Sequence, residues 1–309
     1  MKRLALSTGA LSTCTLSTCT LSTYALSTCA LLASLCSGAA RAASLEFGVG
    51  APPYARVGVS GLPFAGGEAN LGLSSRALGA SFSRGLDFSV LGTANATLSL
   101  DLAFSGGGRV GLAGSGTLGP VALNLSALAF AARARTLDPL AESDFLPVSS
   151  RESGFFASAN ARYRFSRDLI LLGSGELGAQ PSVALSGEFR RGDLSYRVGG
   201  RLGDGVAGAL VGATLRRDDL TFAADALLGP HNLGLTGSLT LGNPLPTLGD
   251  SSLRAYAAYE PWRADAQVLR LGADLSFALG RGSLTAQVRG GSGAAGVRLG
   301  YSLPLDSGE

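Results

Sequence analysis

The chain has 309 residues, of which 46% are hydrophobic, only 15% are charged and 45 are glycine. A soluble domain usually carries about 25% charged residues and about half this share of glycine, yet beyond the first 42 residues no apolar run approaches the ~18 residues that a membrane-spanning helix requires. The net charge of +3, with Lys2 the only lysine, argues against a nucleic-acid partner and marks no basic patch.

Residues 1–42 read as a cleaved secretory signal. Lys2 and Arg3 form its charged start, Ala30 to Leu35 its apolar core, and Ala40-Arg41-Ala42 a small-x-small cleavage site. Within it Leu-Ser-Thr recurs every five residues from Leu6 to Leu26, a low-complexity expansion. Cys14, Cys19, Cys29 and Cys36 all lie there, so the remaining body, residues 43–309, holds no cysteine for disulfide or thiol chemistry.

From Leu45 to Gly92 short alternating runs appear: Leu45 to Val49, Val57 to Val59, Leu71 to Leu73, Leu78 to Phe82 and Leu86 to Val90. Alternation then continues through Ala94-Asn-Ala-Thr-Leu-Ser-Leu-Asp-Leu-Ala-Phe104, a stretch of the length that crosses a bilayer as a tilted strand. An unbroken strand from Leu86 to Phe104 would span roughly 60 Å, about twice a hydrocarbon core, so a turn is expected near Gly92-Thr93. Further runs follow at Val110 to Leu118, Val121 to Ala131, Phe155 to Phe165, Leu169 to Leu177, Val183 to Phe189 and Leu194 to Leu202. Ala207 to Leu215, Leu220 to Leu228, Leu233 to Leu241, Leu253 to Tyr259, Leu269 to Leu279, Leu284 to Val288 and Ala295 to Leu303 complete the series. Hairpin chemistry joins them at Ser166-Arg-Asp168, Arg191-Gly-Asp193, Gly203-Asp-Gly205, Arg217-Asp-Asp219, Gly229-Pro-His-Asn232, Gly280-Arg-Gly282 and Gly290-Gly-Ser-Gly293. Residues 134–153 make one long connection, and 243–250 and 260–267 are shorter ones.

Phasing each strand by its large apolar residues puts Arg162, Arg164, Glu176, Glu188, Arg190, Arg197, Arg201, Asp225, Arg254, Arg270, Asp274, Arg289 and Arg298 on the opposite face. An arginine facing lipid at mid-depth costs about 2–4 kcal/mol, whereas a wet interior accepts it. The apolar face is also dotted with Gly173, Gly175, Gly187, Gly200 and Ala273, gaps that lipid fills but a packed core would not tolerate.

With a leader ending at Ala42, a cysteine-free body and strands such as Val121 to Ala131, Phe155 to Phe165 and Leu269 to Leu279, the sequence resembles the bacterial outer-membrane β-barrel, porin-like class. The resemblance covers nearly the whole body and names no particular family. It implies an all-β fold with a single antiparallel transmembrane barrel of about 16 strands, 14 to 18 being acceptable. It also implies a passive outer-membrane pore for small hydrophilic solutes, without enzymatic activity or cofactor. The partners implied are outer-membrane lipid, solutes or ions, and a homo-oligomer, since trimers are common in the class. The sequence departs from the class where Pro304 to Glu309 follow the last strand, where aromatic girdle candidates are thin (Tyr163, Tyr196, Tyr256, Tyr259, Tyr301, Trp262, with Phe155, Phe156 and Phe165), and where the longer connections do not share one side. A non-conducting structural or envelope barrel and a secreted soluble β-rich surface protein are the alternatives.

No residue set demands chemistry. His231 is the only histidine and sits in a turn, which leaves no conventional zinc site or serine triad. Glu176 with Glu188, or Asp225 with Asp274, are the imaginable carboxylate pairs, but water-lining charge accounts for them. Gly48-Val-Gly50 and Gly106-Gly-Gly108 lack the helix and lysine of a phosphate loop, and Arg191-Gly-Asp193 is explained by its hairpin. Arg162, Arg164, Arg190, Arg197 and Arg201 are close enough in sequence to form one anion-attracting patch on the inner wall. Residues 134–153, if folded inward, would narrow the lumen.

Overall fold

The structure is a computed structural model and describes residues 41–50, 54–88, 92–131, 137–138, 140–146, 153–230, 233–248, 250–263 and 267–305. The leader up to Ala40 and His231 lie outside these residues. The strands are β1 Ala42–Gly50, β2 Tyr54–Phe64, β3 Gly67–Ser74, β4 Ala77–Asp87, β5 Thr93–Ala103, β6 Gly108–Leu118, β7 Val121–Ala131, β8 Gly154–Arg164 and β9 Leu169–Leu177. They continue with β10 Ser182–Arg191, β11 Leu194–Gly203, β12 Val206–Arg217, β13 Leu220–Leu228, β14 Leu233–Gly242, β15 Ser251–Tyr259, β16 Leu269–Leu279, β17 Gly282–Gly291 and β18 Gly296–Pro304.

Each strand pairs antiparallel with its neighbour in sequence. β1 also pairs with β18, from Ala42 opposite Pro304 to Gly50 opposite Gly296, so the sheet of 18 strands closes on itself. Closure leaves no unpaired strand edge. The count is 18 rather than 16. The short N-terminal runs each make a strand, except that Leu78 to Phe82 and the start of the next run, Leu86 and Asp87, fall together in β4. The turn expected near Gly92 is present: the Phe88 N–H donates to the Gly92 carbonyl at 3.0 Å, and the chain reverses between β4 and β5. β1 begins at Ala42, the last residue of the expected leader, and the Arg41 N–H already donates to the Ser60 carbonyl.

Tight turns form where the sequence places them. Gly192 adopts φ 61, open to glycine at no steric cost, and Asp218 adopts φ 46, a left-handed conformation that Asp enters more readily than most residues. The last turn is Ser292 to Ala295, slightly beyond the expected glycines.

Directly paired residues point to the same side of an antiparallel sheet. The outer face therefore carries Leu98, Leu112, Leu185, Val198, Leu235 and Leu271, all well exposed, together with their row neighbours. Such a continuous apolar band is far larger than the few hundred Å² that a soluble monomer shows to water, so hydrocarbon is its solvent. Among the described strand residues only Arg84, Arg191 and Arg217 are charged and face outward. All three lie within three residues of the rim at which β1 begins and β18 ends, called here the terminal rim.

Outward aromatics gather at the same place. Phe64, Phe88, Tyr163, Phe165, Phe189, Tyr196 and Phe222 border the terminal rim, against Phe104, Phe155 and Tyr259 at the far rim. The girdle is thus one-sided rather than thin all round. Because strands alternate direction, the connections 132–153 and 260–268 both emerge at the far rim, and 243–250 lies at the terminal rim. Two of the three longer connections therefore share a side.

Candidate functional site: the inner wall

The register carries one inner face through all 18 strands and sets every predicted wall residue on it. Arg164, Ile170, Glu188, Arg197, Gly212, Asp225, Thr236, Ala258 and Arg270 follow one another as direct partners from β8 to β16. Arg254 lies opposite Asp274, and Gln287 links Asp274 to Arg298. Arg162, Glu176, Arg190, Arg201 and Arg289 occupy the same face of their strands.

Most of these charges are matched. Arg197 Nη1 donates to both Asp225 oxygens at 2.7 and 2.8 Å, Arg190 Nε to Glu188 at 2.9 Å, and Arg201 Nη2 to Glu176 at 3.0 Å. Arg216 Nη1 lies 3.8 Å from Glu188, and Arg109 on β6 forks onto Asp101 at 2.7 and 2.9 Å. The five clustered arginines therefore do not form an unpaired cationic patch: Arg190, Arg197 and Arg201 hold carboxylates, and Arg164 donates to the Ser166 carbonyl. Nor do the suggested carboxylate pairs meet. Glu176 is opposite Ser182 and Glu188 opposite Ile170, three side-chain rows apart, while Asp225 and Asp274 each face an arginine.

Glycine makes the flat bridges possible. Arg197, Gly212 and Asp225 are consecutive across β11, β12 and β13, and a Cβ on Gly212 would lie 1.9 Å from Asp225 Oδ1. Tyr256 lies over Gly272 in the same way, its Oη 2.4 Å from where a Cβ would stand. An inward glycine beside a long or aromatic side chain lets that side chain lie along the wall.

Two connections fold into the lumen from the far rim. In the first, Leu137 packs on Ala77 and Ala103. Asp138 pairs with Arg298, and Ser143 Oγ donates to the Ala294 carbonyl at 2.6 Å. The Ser143 carbonyl accepts from Tyr256 Oη at 2.6 Å, and Asp144 accepts from Arg289 Nε at 2.6 Å. Arg289 also donates to Asp274 at 2.6 Å and lies over the Tyr256 ring. The described residues 137–138 and 140–146 thus touch β4 and β5 and dock on β15 to β18.

In the second, Glu260 binds Arg263 at 2.7 Å and Arg270, and Arg201 approaches it at 3.8 Å. Arg263 reaches Glu176 at 3.5 Å. Trp262 packs on Val206 and Leu227, beneath Arg201, and a Cβ on Gly234 would lie 2.2 Å from its ring. Sequence phasing missed Glu260, Trp262, Arg263, Asp138 and Asp144 as wall-binding residues. Connections have no period to phase, and only the lengths of these two hinted at a role.

Protonation should separate the two. Burial pushes the Asp144 carboxyl above its ordinary range, a rise that the hydrogen bond and charge of Arg289 reduce without cancelling. Its contribution to docking is therefore full below the ordinary aspartate value and is lost as pH rises through the raised one. Burial would also raise Glu260, but Arg263 and Arg270 outweigh it and hold the carboxyl below its ordinary range. Its contribution is present above the ordinary glutamate value and is lost only as pH falls through the lowered one. On acidification from neutral towards the ordinary carboxylate range, emission of Trp262 should stay constant while residues 137–146 are held more firmly. An early emission change would contradict this assignment.

No family model matches the chain, and no curated protein matches it. Solved structures similar to it include two mutants of the Rhodopseudomonas blastica porin. Each has 12% sequence identity and a TM-score of 0.44, over 85% of this chain and 98% of that one. A structure titled "Asymmetric conductivity of engineered proteins" has 14% identity and a TM-score of 0.42 over the same shares.

Proposed function

We propose that the chain is a passive, porin-like pore of an outer membrane, open to small hydrophilic solutes and working without covalent chemistry or cofactor. One observation supports this above others: a closed 18-strand barrel turns an apolar band outward and a charged, hydroxyl- and amide-rich wall inward. Barrels of 16 to 18 strands are wide enough to leave an aqueous channel. Residues 137–146 narrow the far-rim end, and 260–263 thicken the wall beside them. The wall of β7 to β12 keeps a recess of about 350 Å³, lined by polar and apolar side chains, that no described segment fills. Export through a cleaved leader, with membrane lipid and passing solutes as partners, belongs to the same reading.

Because most inner arginines are matched by carboxylates, ion selectivity should be weak. Detergent-folded protein in a planar bilayer is expected to give stable conductance steps with a small reversal potential under a salt gradient. Silence from protein shown to be folded and inserted would overturn the pore and favour a structural barrel blocked by its inward connections.

A further inference from the structure

From β8 to β18 every described inward arginine except Arg162 has a partner. Arg164 has a carbonyl, Arg216 the Ser195 hydroxyl at 3.0 Å, Arg254 the Phe145 ring at 5.5 Å, and the others carboxylates. Arg162, two residues from the end of β8, is exposed and makes no ion pair or hydrogen bond among the described residues. Its direct partners across the sheet are Ala122 and Leu172, neither of which can neutralise it.

The same recess holds Asn124 and Asn160, paired directly across β7 and β8, with Ser174 and Ser186 beside them. No protein hydrogen bond occupies either amide among the described residues. Leu172 and Leu210 supply an apolar patch. A guanidinium offers five N–H donors in a planar fork that matches a carboxylate, and amides and hydroxyls both donate and accept. The recess is within the size range of small-ligand sites. It also lies towards the terminal rim, on the half of the lumen away from the two inward connections.

We propose that this recess is a binding subsite for small hydroxylated carboxylates. Arg162 takes the carboxylate, Asn124 and Asn160 take hydroxyl groups, and the carbon chain lies against Leu172, the direct neighbour of Arg162. The proposal rests on the pore reading and gives it a solute class. Arg162 is thus a free cation amid unengaged amides, on a wall where most inward arginines hold carboxylates.

The test uses the full folded protein in a bilayer bathed in potassium chloride, with gluconate added as the probe and sorbitol as its uncharged counterpart. Gluconate is expected to reduce the conductance saturably and sorbitol is not. In Arg162→Ala the saturable reduction, measured relative to that variant's own step in potassium chloride alone, should be lost while the heat-shift of folded protein is kept. Arg162→Lys should retain part of it, and Asn124→Ala with Asn160→Ala should weaken gluconate more than chloride. Equal reduction by gluconate in wild type and Arg162→Ala overturns the subsite and leaves the pore standing. If the folded barrel does not conduct, the pore reading fails by itself. Calorimetric titration of detergent-folded wild type and Arg162→Ala with gluconate then decides the subsite: Arg162-dependent binding supports it, and no difference overturns it.

Discussion

Glu260→Gln is expected to free residues 260–263 from the wall and shift the emission of Trp262 to longer wavelength. Glu260 is the common acceptor for Arg263 and Arg270, with Arg201 at 3.8 Å, and only 5% of it is exposed. Glutamine keeps the shape and one acceptor but removes the charge. Arg270, 1% exposed, would then be a buried cation without its counter-ion. Breaking a buried pair from one side costs about 3–5 kcal/mol, because the remaining charge is neither solvated nor paired. The cheapest relief is for the segment to lift and admit water, which takes Trp262 off Val206 and Leu227. Trp262 is the only tryptophan in the chain, so its emission reads this event without interference. The variant should also unfold at lower temperature in a heat-shift assay. Unchanged emission together with an unchanged heat-shift midpoint would show that Glu260 does not secure the segment.

Arg289→Met should act at the other inward connection and enlarge the conductance. Methionine fills much of the same volume, so the loss is chiefly of charge and hydrogen bonds. Arg289 is 7% exposed and joins Asp144 of the connection to Asp274 of the wall at 2.6 Å each, while its guanidinium covers the Tyr256 ring. Without it the two carboxylates share a site with no cation between them, and repulsion replaces attraction. The remaining anchors of this connection are the Ser143 contacts with Ala294 and Tyr256, the pairing of Asp138 with Arg298, Leu137 on Ala77 and Ala103, and the Phe145 ring against Tyr256 and Arg254. A loss of about 3–5 kcal/mol shifts a docked-undocked equilibrium by roughly two to four orders of magnitude. Single-channel steps should therefore become larger and noisier, with the barrel still folded. Steps of wild-type size and noise would show that this connection does not limit the pore.

The strands were legible because a two-residue period survives wherever one face meets lipid and the other water, as in β5, β7 and β16. β4 was harder: Ser83 to Gly85 interrupt its apolar row between Phe82 and Leu86, and the run reads as two short strands until the pairing with β5 is known. The face of each wall charge could be read from parity, but its partner could not. Arg201 meets Glu176 from 25 residues away, and Arg298 meets Asp138 from 160. Such separations depend on barrel closure and on connections without periodicity. The bridging role of Gly212 and Gly272 was equally hidden, since a glycine reads as a gap until the side chain lying over it is seen.

Because the Asp225 carboxylate lies over Gly212, where Arg197 meets it, the two charges form a short dipole along the wall instead of a charge projecting into the lumen. The field of a dipole decays with one higher power of distance than that of a monopole. Within a screening length of about 8 Å at physiological salt, paired wall charges therefore become faint towards the axis. A solute travelling down the middle of this arginine-rich tube meets an almost neutral medium. On drifting towards β8, within reach of Arg162, it encounters a charge that no carboxylate cancels among the described residues.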